Sequence, residues 1–173
     1  MTQLHLAQSR TSIVLAQELG RGGEGTVFSM QNASDRVAKI YTKVPDATKV
    51  KKLTAMVVTT SPALLHIAPW PIDLLLDGQR TVRGFVMPRA TSRRDIHELY
   101  SPKSRSESFP ETDFRFLVHV GTNIARAFAV IHAHGHVVGD VNHGNLLVGT
   151  DGTVMMIDCD SFQVGMGTNV FPC

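Results

Sequence analysis

Three polar residues in the last third of the chain have the types and the spacing of a magnesium-phosphate site. Asn145 follows Asp140 by five residues, and Asp158 comes after a turn flanked by two apolar runs. Mg²⁺ is a hard cation that prefers oxygen ligands such as carboxylates and amide carbonyls. Phosphoryl transfer needs such ligands and a further carboxylate to orient the incoming hydroxyl. The segment suits a magnesium-nucleotide site, although the same residues also fit an ordinary polar turn.

A predicted hairpin positions two of these residues. Leu146 to Val148 have the apolar composition of a short buried strand, and Val154 to Ile157 that of the returning strand. Thr150 to Thr153, which contain Asp-Gly, predict the turn between them. Since the open ends of a hairpin lie side by side, Asn145 and Asp158 are expected to face one place.

A glycine-rich segment near the amino end carries a second motif. Residues 20–27 read GRGGEGTV, which is the pattern G-x-G-x-x-G-x-V. This pattern is weak alone, because dinucleotide-binding folds use the same spacing. The β-branched and aromatic residues at 26–30 predict a strand, whereas a dinucleotide-binding loop opens a helix. We therefore predict a strand-loop-strand whose glycines let the backbone approach phosphate oxygens.

Together these motifs resemble those of the eukaryotic-like protein kinases. Asp140 and Asn145 stand at the Asp and Asn of H-R-D-x-x-x-x-N, and Asp158 stands at the Asp of D-F-G. A third strand is predicted from Arg36 to Tyr41, and its Val-Ala-Lys resembles the kinase strand whose lysine binds the α- and β-phosphates. The ending IDCDSF resembles a bacterial branch of these kinases, some of which are found near tellurite-resistance and stress-response genes.

The resemblance implies an α+β fold of the bilobal protein kinase type. The N-lobe would be a five-stranded antiparallel sheet with one helix in residues 1–87, and residues 88–173 would be the hinge and an incomplete helical C-lobe. The implied activity is that of an ATP-dependent Ser/Thr-type protein kinase domain, which transfers the γ-phosphate of Mg-ATP to a protein hydroxyl. The implied catalytic residues are Asp140 and Lys39, and the implied magnesium ligands are Asn145 and Asp158. The implied nucleotide-binding residues are Gly20, Gly22, Gly25, Val27, Ala38, Lys39, Met87, Pro88 and Ala90.

Three departures from the family pattern bear on mechanism. The helix predicted from Asp46 to about residue 59 has no glutamate to pair with Lys39, and Asp46 is the only acid near it. Gly139 replaces an arginine that in many kinases senses activation-loop phosphorylation, so we expect no such control. Asn142 stands where protein kinases usually have a lysine that neutralises the transferred phosphate.

Two alternative functions remain open. One is a nucleotide-binding pseudokinase that acts as a scaffold or regulator, which the departures favour and the retained Asp140 opposes. The other is a small-molecule kinase of the aminoglycoside or choline type, which usually lacks the glycine-rich loop. The role of Asp160 also has two interpretations, a second metal ligand or a polar neighbour, and we favour the polar neighbour.

Composition narrows the cellular context. The chain is 43% hydrophobic and 18% charged, as soluble globular proteins are, and its net charge of +2 is too small to indicate nucleic acid. No apolar run approaches the roughly 18 residues of a membrane span, and the amino end lacks a signal-peptide pattern. We expect a cytoplasmic protein with no nucleic-acid or membrane partner. Its partner would be a protein substrate or regulator of unknown identity.

Cysteine and histidine spacing gives little indication of a metal site. Cys159 and Cys173 have no CxxC spacing, and Cys159 is expected to be a small buried side chain. His132, His134 and His136 alternate, but Gly135 and the helical pattern before them argue against a strand that presents metal ligands.

A long helix is predicted from Thr112 and Asp113 to about His134. Its apolar residues cover much of its circumference, so we expect it to be buried on most sides in a complete kinase. The sequence stops at Cys173, where a kinase large lobe would continue. We interpret the chain as part of a longer protein, and expect apolar faces on this helix and on the 154–157 strand that a partner or a second copy would cover. Residues 101–110 are predicted to be a polar loop.

Overall fold

The computed structural model describes residues 3–173. The chain divides into two compact units. The first comprises residues up to Thr60 together with Trp70–Arg89, and the second comprises Ser61–Pro69 together with Ala90–Cys173. The chain passes into the second unit after Arg89, and the sequence analysis placed this boundary at residue 87. The sequence analysis assigned residues 61–69 to the N-lobe, whereas they lie with the second unit.

An antiparallel sheet of seven strands forms most of the described first unit, in the order β2-β1-β6-β7-β5-β4-β3. The strands are β1 Leu4–Leu6, β2 Ser12–Ile13, β3 Leu15–Arg21, β4 Gly25–Met30, β5 Ala33–Tyr41, β6 Asp73–Leu76 and β7 Val82–Pro88. The five predicted strands are β3 to β7. The sheet extends beyond them because Leu6 and Ile13, on β1 and β2, pack against the buried core cluster.

The two faces of β5 differ in chemistry. Successive side chains on a strand point to opposite faces. Ala38 belongs to a buried apolar cluster with Leu75 and Val86. Lys39 points to the other face, where its register partner on β7 is the fully buried Phe85. We call this second face the Lys39 face.

Helix α1, Ala47–Val58, follows β5, and Asp46 is its N-cap residue. The Asp46 carboxylate accepts a hydrogen bond from the Lys49 backbone N–H at 2.8 Å and so caps the helix. At the other end, the Met56 carbonyl accepts a hydrogen bond from Trp70 Nε1 at 2.8 Å. Since Trp70 is fully buried, this contact fixes α1 against the segment that leads into β6.

The second unit combines helices with short strands. Its three-stranded sheet has the order β10-β9-β8, and a separate hairpin pairs β11 with β12. The strands are β8 Arg93–Asp95, β9 Leu146–Gly149, β10 Val154–Met156, β11 Val164–Met166 and β12 Asn169–Phe171. The helices are α2 Pro62–Ile67, α3 Ile96–Tyr100, α4 Pro102–Ser108 and α5 Phe114–Ala133. The loop predicted for residues 101–110 is wrong, because α4 forms with Pro102 in its first turn, where no N–H is needed.

The exposed apolar face expected on α5 is found. In this 20-residue helix the buried side chains are those of Val120, Ala127 and Ile131, whereas Phe114 is 77% exposed. The exposed apolar face expected on the 154–157 strand is not found, since all of β10 is buried. Contrary to expectation, α5 is long and apolar enough to cross a membrane. Length and composition alone are a weak indication, because core helices of soluble proteins share them.

Candidate catalytic site

Two asparagine side chains hold the carboxylate of Asp140. Asn142 Nδ2 donates to Asp140 Oδ2 at 2.7 Å, and Asn145 Nδ2 donates to the same oxygen at 3.0 Å. Asn145 Nδ2 also donates to the Asp140 backbone carbonyl at 3.2 Å. Both side-chain donors reach Oδ2, so the second carboxylate oxygen, Oδ1, lies outside this pair of hydrogen bonds. The arrangement fixes the carboxylate and leaves it one oxygen that could accept a proton.

Asn142 also shapes the loop after Asp140. Its Oδ1 accepts a hydrogen bond from the Gly144 N–H at 2.8 Å, at the start of the 3₁₀ turn His143–Asn145. The sequence analysis treated Asn142 only as a missing lysine and did not identify this double role. An asparagine two residues before a glycine is typical of an Asx turn, so the sequence did contain a signal.

The β9–β10 hairpin brings Asn145 and Asp158 to one end. Leu146 pairs with Met156, and the Ile157 N–H donates to the Asn145 carbonyl at 3.0 Å. Asp158 is the next residue in the chain, so it lies at the same end of the hairpin as Asn145, as the predicted hairpin required. Its backbone is left-handed, with φ 60° and ψ 38°, and its carbonyl accepts from the Ser161 N–H at 3.0 Å.

The two acids of the D-C-D segment occupy different environments. Asp158 is exposed, whereas Asp160 is buried. Cys159 between them is fully buried, as predicted, and its Sγ donates to the Pro69 carbonyl at 3.2 Å. A metal ligand must reach an ion that exchanges with solvent, so exposure favours Asp158 over Asp160 as the ligand.

The donor set is compatible with Mg²⁺. Within residues 3–173, no group of three or more His, Cys, Asp or Glu side chains could hold a metal ion. Magnesium is usually bound by one or two carboxylates together with waters and substrate phosphates. A site made of Asp158 and the Asn145 amide oxygen, completed by phosphate oxygens and water, fits that pattern.

No room exists for a side chain at residue 139. A Cβ added to Gly139 would lie 2.5 Å from the Ser161 backbone oxygen and 2.6 Å from Cys173 Sγ. Contacts this short require the neighbouring backbone to move. Glycine at this position is therefore a packing requirement of the second unit.

The alternating histidines make structural contacts. His134 Nε2 lies 3.0 Å from Ser61 Oγ, and its Nδ1 lies 2.8 Å from the Val130 carbonyl. His136 is buried, and its Nδ1 accepts a hydrogen bond from the Gly165 N–H at 3.2 Å. Burial lowers the pKa of His136, and the neighbouring His134 lowers it further. The lowered pKa favours the neutral imidazole, whose Nδ1 can accept this hydrogen bond.

Lys39, in the first unit, is buried on β5. Its Nζ lies 5.8 Å from the centroid of the Tyr41 ring. Close approach of β7 depends on Gly84, because a Cβ there would lie 1.9 Å from the Lys39 backbone oxygen. The pairing of β5 with β7 therefore needs glycine opposite Ile40, next to Lys39, a constraint that the sequence analysis missed.

Ala38, a predicted nucleotide-binding residue, is not on the Lys39 face. Its side chain instead packs in the apolar cluster of the opposite face. Val37, two residues before Lys39, is the neighbour that shares the Lys39 face. Val27 and Met87 lie there too, since Val27 pairs with Lys39 and Met87 pairs with Val37.

The glycines of the loop divide into two kinds. A Cβ on Gly25 would lie 2.5 Å from the Ile40 backbone oxygen, so Gly25 is required by strand packing. A Cβ on Gly20 would meet nothing within 4 Å, so packing does not require glycine at that residue. Of the remaining predicted residues, Pro88 ends β7 in the first unit and Ala90 belongs to the second unit.

Solved structures with the same topology define the class of fold. This chain superposes on the ROP18 kinase domain in complex with AMP-PNP and sucrose with a TM-score of 0.64 and 17% identity, over 97% of this chain and 57% of that one. A rhoptry kinase from Toxoplasma gondii gives a TM-score of 0.61 and 16% identity, over 96% and 53%. ROP2 from the same organism, described as a virulence factor with a protein-kinase fold and no enzymatic activity, gives 0.62 and 17%, over 99% and 57%. The chain has the protein-kinase fold, which confirms the predicted α+β bilobal class.

Two proteins are similar to this chain in sequence. A protein named protein kinase YegI from Escherichia coli K12 is 44% identical over 160 residues, which cover 92% of this chain and 25% of that protein. The YegI protein of Escherichia coli O157:H7 is 44% identical over 158 residues, which cover 91% and 24%. No family model matches the chain. The predicted resemblance to eukaryotic-like protein kinases is confirmed, and the chain spans about a quarter of the length of these relatives.

Proposed function

We propose that this chain is the nucleotide-binding and catalytic part of an ATP-dependent Ser/Thr-type protein kinase. The observation that carries the proposal is the hydrogen-bonded arrangement of Asp140 with Asn142 and Asn145, beside the hairpin end that presents Asp158. Relatives named protein kinase and the kinase fold support a kinase-type function. The proposal further specifies ATP as the phosphate donor and a protein hydroxyl as the phosphate acceptor.

Each residue has a role in the proposed transfer. The substrate hydroxyl donates a hydrogen bond to Asp140, which accepts the proton as the oxygen attacks the γ-phosphorus. The bond from that phosphorus to the β–γ bridging oxygen breaks, and ADP leaves. Lys39 binds phosphate oxygens of the nucleotide, while Asn145 and Asp158 would hold Mg²⁺. The ion would supply positive charge that stabilises the phosphate oxygens in the transition state.

A calorimetric titration of the chain with ATP, with and without magnesium, tests the binding half of this proposal. We expect magnesium-dependent binding that Asp158→Ala weakens at least about tenfold, because it removes a charged ligand. Glu107→Ala, which removes an exposed carboxylate from α4, is the control and should bind as the wild type does. Absence of binding by the folded wild type would overturn the proposal.

Transfer itself is tested on the full-length protein with ATP labelled at the γ-phosphate. Wild type should label a protein substrate on serine or threonine, and Asp140→Asn should bind ATP yet lose at least about a hundredfold in rate, as expected when a catalytic base is lost. Label found only on a small-molecule acceptor would contradict the protein-kinase assignment.

The second candidate function is a nucleotide-binding scaffold. It is favoured by the absence of any acid in the α1 sequence, so that this helix cannot supply the family's partner for Lys39. ROP2 shows that the fold alone does not guarantee catalysis. ATP binding without any transfer by the full-length protein would favour this alternative.

A further inference from the structure

An ion pair joins the glycine-rich loop, residues 20–25, to helix α1. Lys49 Nζ donates a hydrogen bond to Glu24 Oε2 at 2.9 Å. Glu24 belongs to the loop, and Lys49 lies in the first turn of α1. The two residues are 25 positions apart in the chain, so the ion pair connects two elements that are separate in sequence.

The backbones of both partners are held by hydrogen bonds. The Glu24 carbonyl accepts from the Thr42 N–H at 2.9 Å. The Lys49 N–H donates to the Asp46 carboxylate at 2.8 Å. Lys49 Nζ also lies 5.2 Å from the centroid of the Tyr41 ring, within the range of a cation–π interaction. The ammonium group of Lys49 therefore has a carboxylate and an aromatic ring that orient it.

The ion pair borders open space. A cavity of about 360 Å³ is lined by Gly23, Glu24, residues 41–46 and Lys49. The Glu24 side chain is 66% exposed, and that of Lys49 is 23% exposed. Because side chains do not fill this cavity, the ion pair supplies a contact between the loop and α1 that packing does not supply there.

We propose that Lys49 is a positioning residue, which holds the glycine-rich loop over the nucleotide through its ion pair with Glu24. The inference rests on the proposed nucleotide-binding function and goes beyond it, since neither side chain is among those proposed to contact nucleotide. The loop glycines allow its backbone to approach phosphate oxygens. A loop that is already held in place loses less conformational entropy when a triphosphate binds, so the ion pair should favour ATP binding.

Calorimetric titrations with ATP and with adenosine test this role on matched variants. An exposed ion pair contributes modestly, so Lys49→Met and Glu24→Gln should each weaken ATP binding about two- to fivefold. Adenosine has no phosphates for the loop to contact, so its affinity should stay as in wild type. Lys51→Met removes the same charge from an exposed position of α1 and should bind both ligands as wild type does.

The Glu24→Gln variant separates positioning from a direct effect of charge on the phosphates. If the two side chains acted only through their charges, removing the negative charge of Glu24 would strengthen ATP binding. Positioning predicts weaker ATP binding in both variants. Tighter ATP binding by Glu24→Gln, together with weaker binding by Lys49→Met, would overturn the inference.

An exchange of the two charges tests for rescue. Glu24→Lys and Lys49→Glu each place like charges together, and each should weaken ATP binding. The double variant restores opposite charges at the same net charge, and its ATP affinity should lie within about twofold of wild type, as expected for directly coupled residues. A loss in the double variant equal to the product of the two single losses would contradict the inference.

Amide hydrogen exchange in the nucleotide-free protein tests the ion pair without ATP. The Thr42 N–H donates to the Glu24 carbonyl, so its exchange rate reports release of the loop. This amide should exchange about two- to fivefold faster in Lys49→Met than in wild type or Lys51→Met. Unchanged exchange at Thr42 would overturn the inference alone. Failure of the wild type to bind ATP would overturn the proposed function and, with it, the role of the ion pair in nucleotide binding.

Discussion

The side-chain amide of Asn142 donates to Asp140 Oδ2 at 2.7 Å, so an asparagine orients the carboxylate that the kinase resemblance identifies as catalytic. The residue at this place in most protein kinases is a lysine, and sequence comparison alone presents Asn142 as a loss. In the structure, the contacts of Asn142 differ in kind from the charge neutralisation that this lysine provides. Asn142 positions Asp140 and, through its Oδ1, caps the turn that carries Asn145.

Asn142→Ala should therefore lower the transfer rate. Removing one hydrogen bond to a charged group costs about 1.5–3 kcal/mol, so we expect kcat to fall by about tenfold or more. The KM for ATP should change little, because Asn142 is not among the residues proposed to bind nucleotide. Asn169→Ala, in the exposed part of β12, is the matched control. Unchanged kcat in a folded Asn142→Ala protein would contradict the positioning role.

The left-handed backbone of Asp158 predicts different results for two substitutions. Asparagine tolerates this conformation almost as well as aspartate does, whereas alanine is disfavoured there by about 1 kcal/mol. Both Asp158→Asn and Asp158→Ala should lose magnesium-dependent ATP binding, because both remove the charge. In denaturant titrations Asp158→Ala should be the less stable of the two, and equal stabilities would show that the backbone conformation carries no cost.

Gly84→Ala tests the pairing of β5 with β7. The new methyl group would lie 1.9 Å from the Lys39 backbone oxygen, and neither strand can give way without breaking ladder hydrogen bonds. We expect the free energy of unfolding to fall by about 3 kcal/mol or more, the upper end for overpacking. Gly78→Ala is the control, because a Cβ at Gly78 meets nothing within 4 Å and should change stability by less than about 0.5 kcal/mol. Similar stabilities of the two variants would contradict this account.

Stability should decrease in mild acid because of His136. Its pKa is lowered in the folded protein from the ordinary value of 6.5, mainly by burial, so the unfolded chain binds a proton there more readily. The stability that this neutral imidazole provides is present above about pH 6.5 and is lost as the pH falls toward and below the folded pKa. His136→Asn can still accept from the Gly165 N–H but does not titrate there, so its melting temperature should fall less between about pH 7 and pH 5.

His66→Asn, on the exposed side of α2, is the control for that experiment and should keep the wild-type pH dependence. If His136→Asn and wild type lose stability in parallel, His136 is not the group responsible.

The site of the second unit follows from local sequence signals. An Asp-Gly turn between two apolar runs is sufficient to predict a hairpin, and a hairpin places Asn145 beside Asp158. The glycine-rich strand-loop-strand is equally local, because β-branched residues after the loop exclude a helix. Such features depend on residues close in the chain, so pattern and spacing predict them.

Features that depend on distant packing were not predictable in this way. The glycine requirement at residue 84 is one example, because the backbone of β5, far away in the sequence, sets it. The burial of the 154–156 strand is another, because a sequence records hydrophobicity and not the neighbours that cover it. The burial of Lys52 was equally hidden, since three lysines in one helix indicate a solvated surface by composition alone.

Gly139 has a consequence for how this protein can evolve. The Ser161 carbonyl and Cys173 occupy the space that any side chain at residue 139 would need. A single mutation to arginine, which would recreate the phosphate-sensing residue of many kinases, therefore collides with the fold before it can confer control. A sensor at this position would require the backbone around residues 161 and 173 to be rebuilt first.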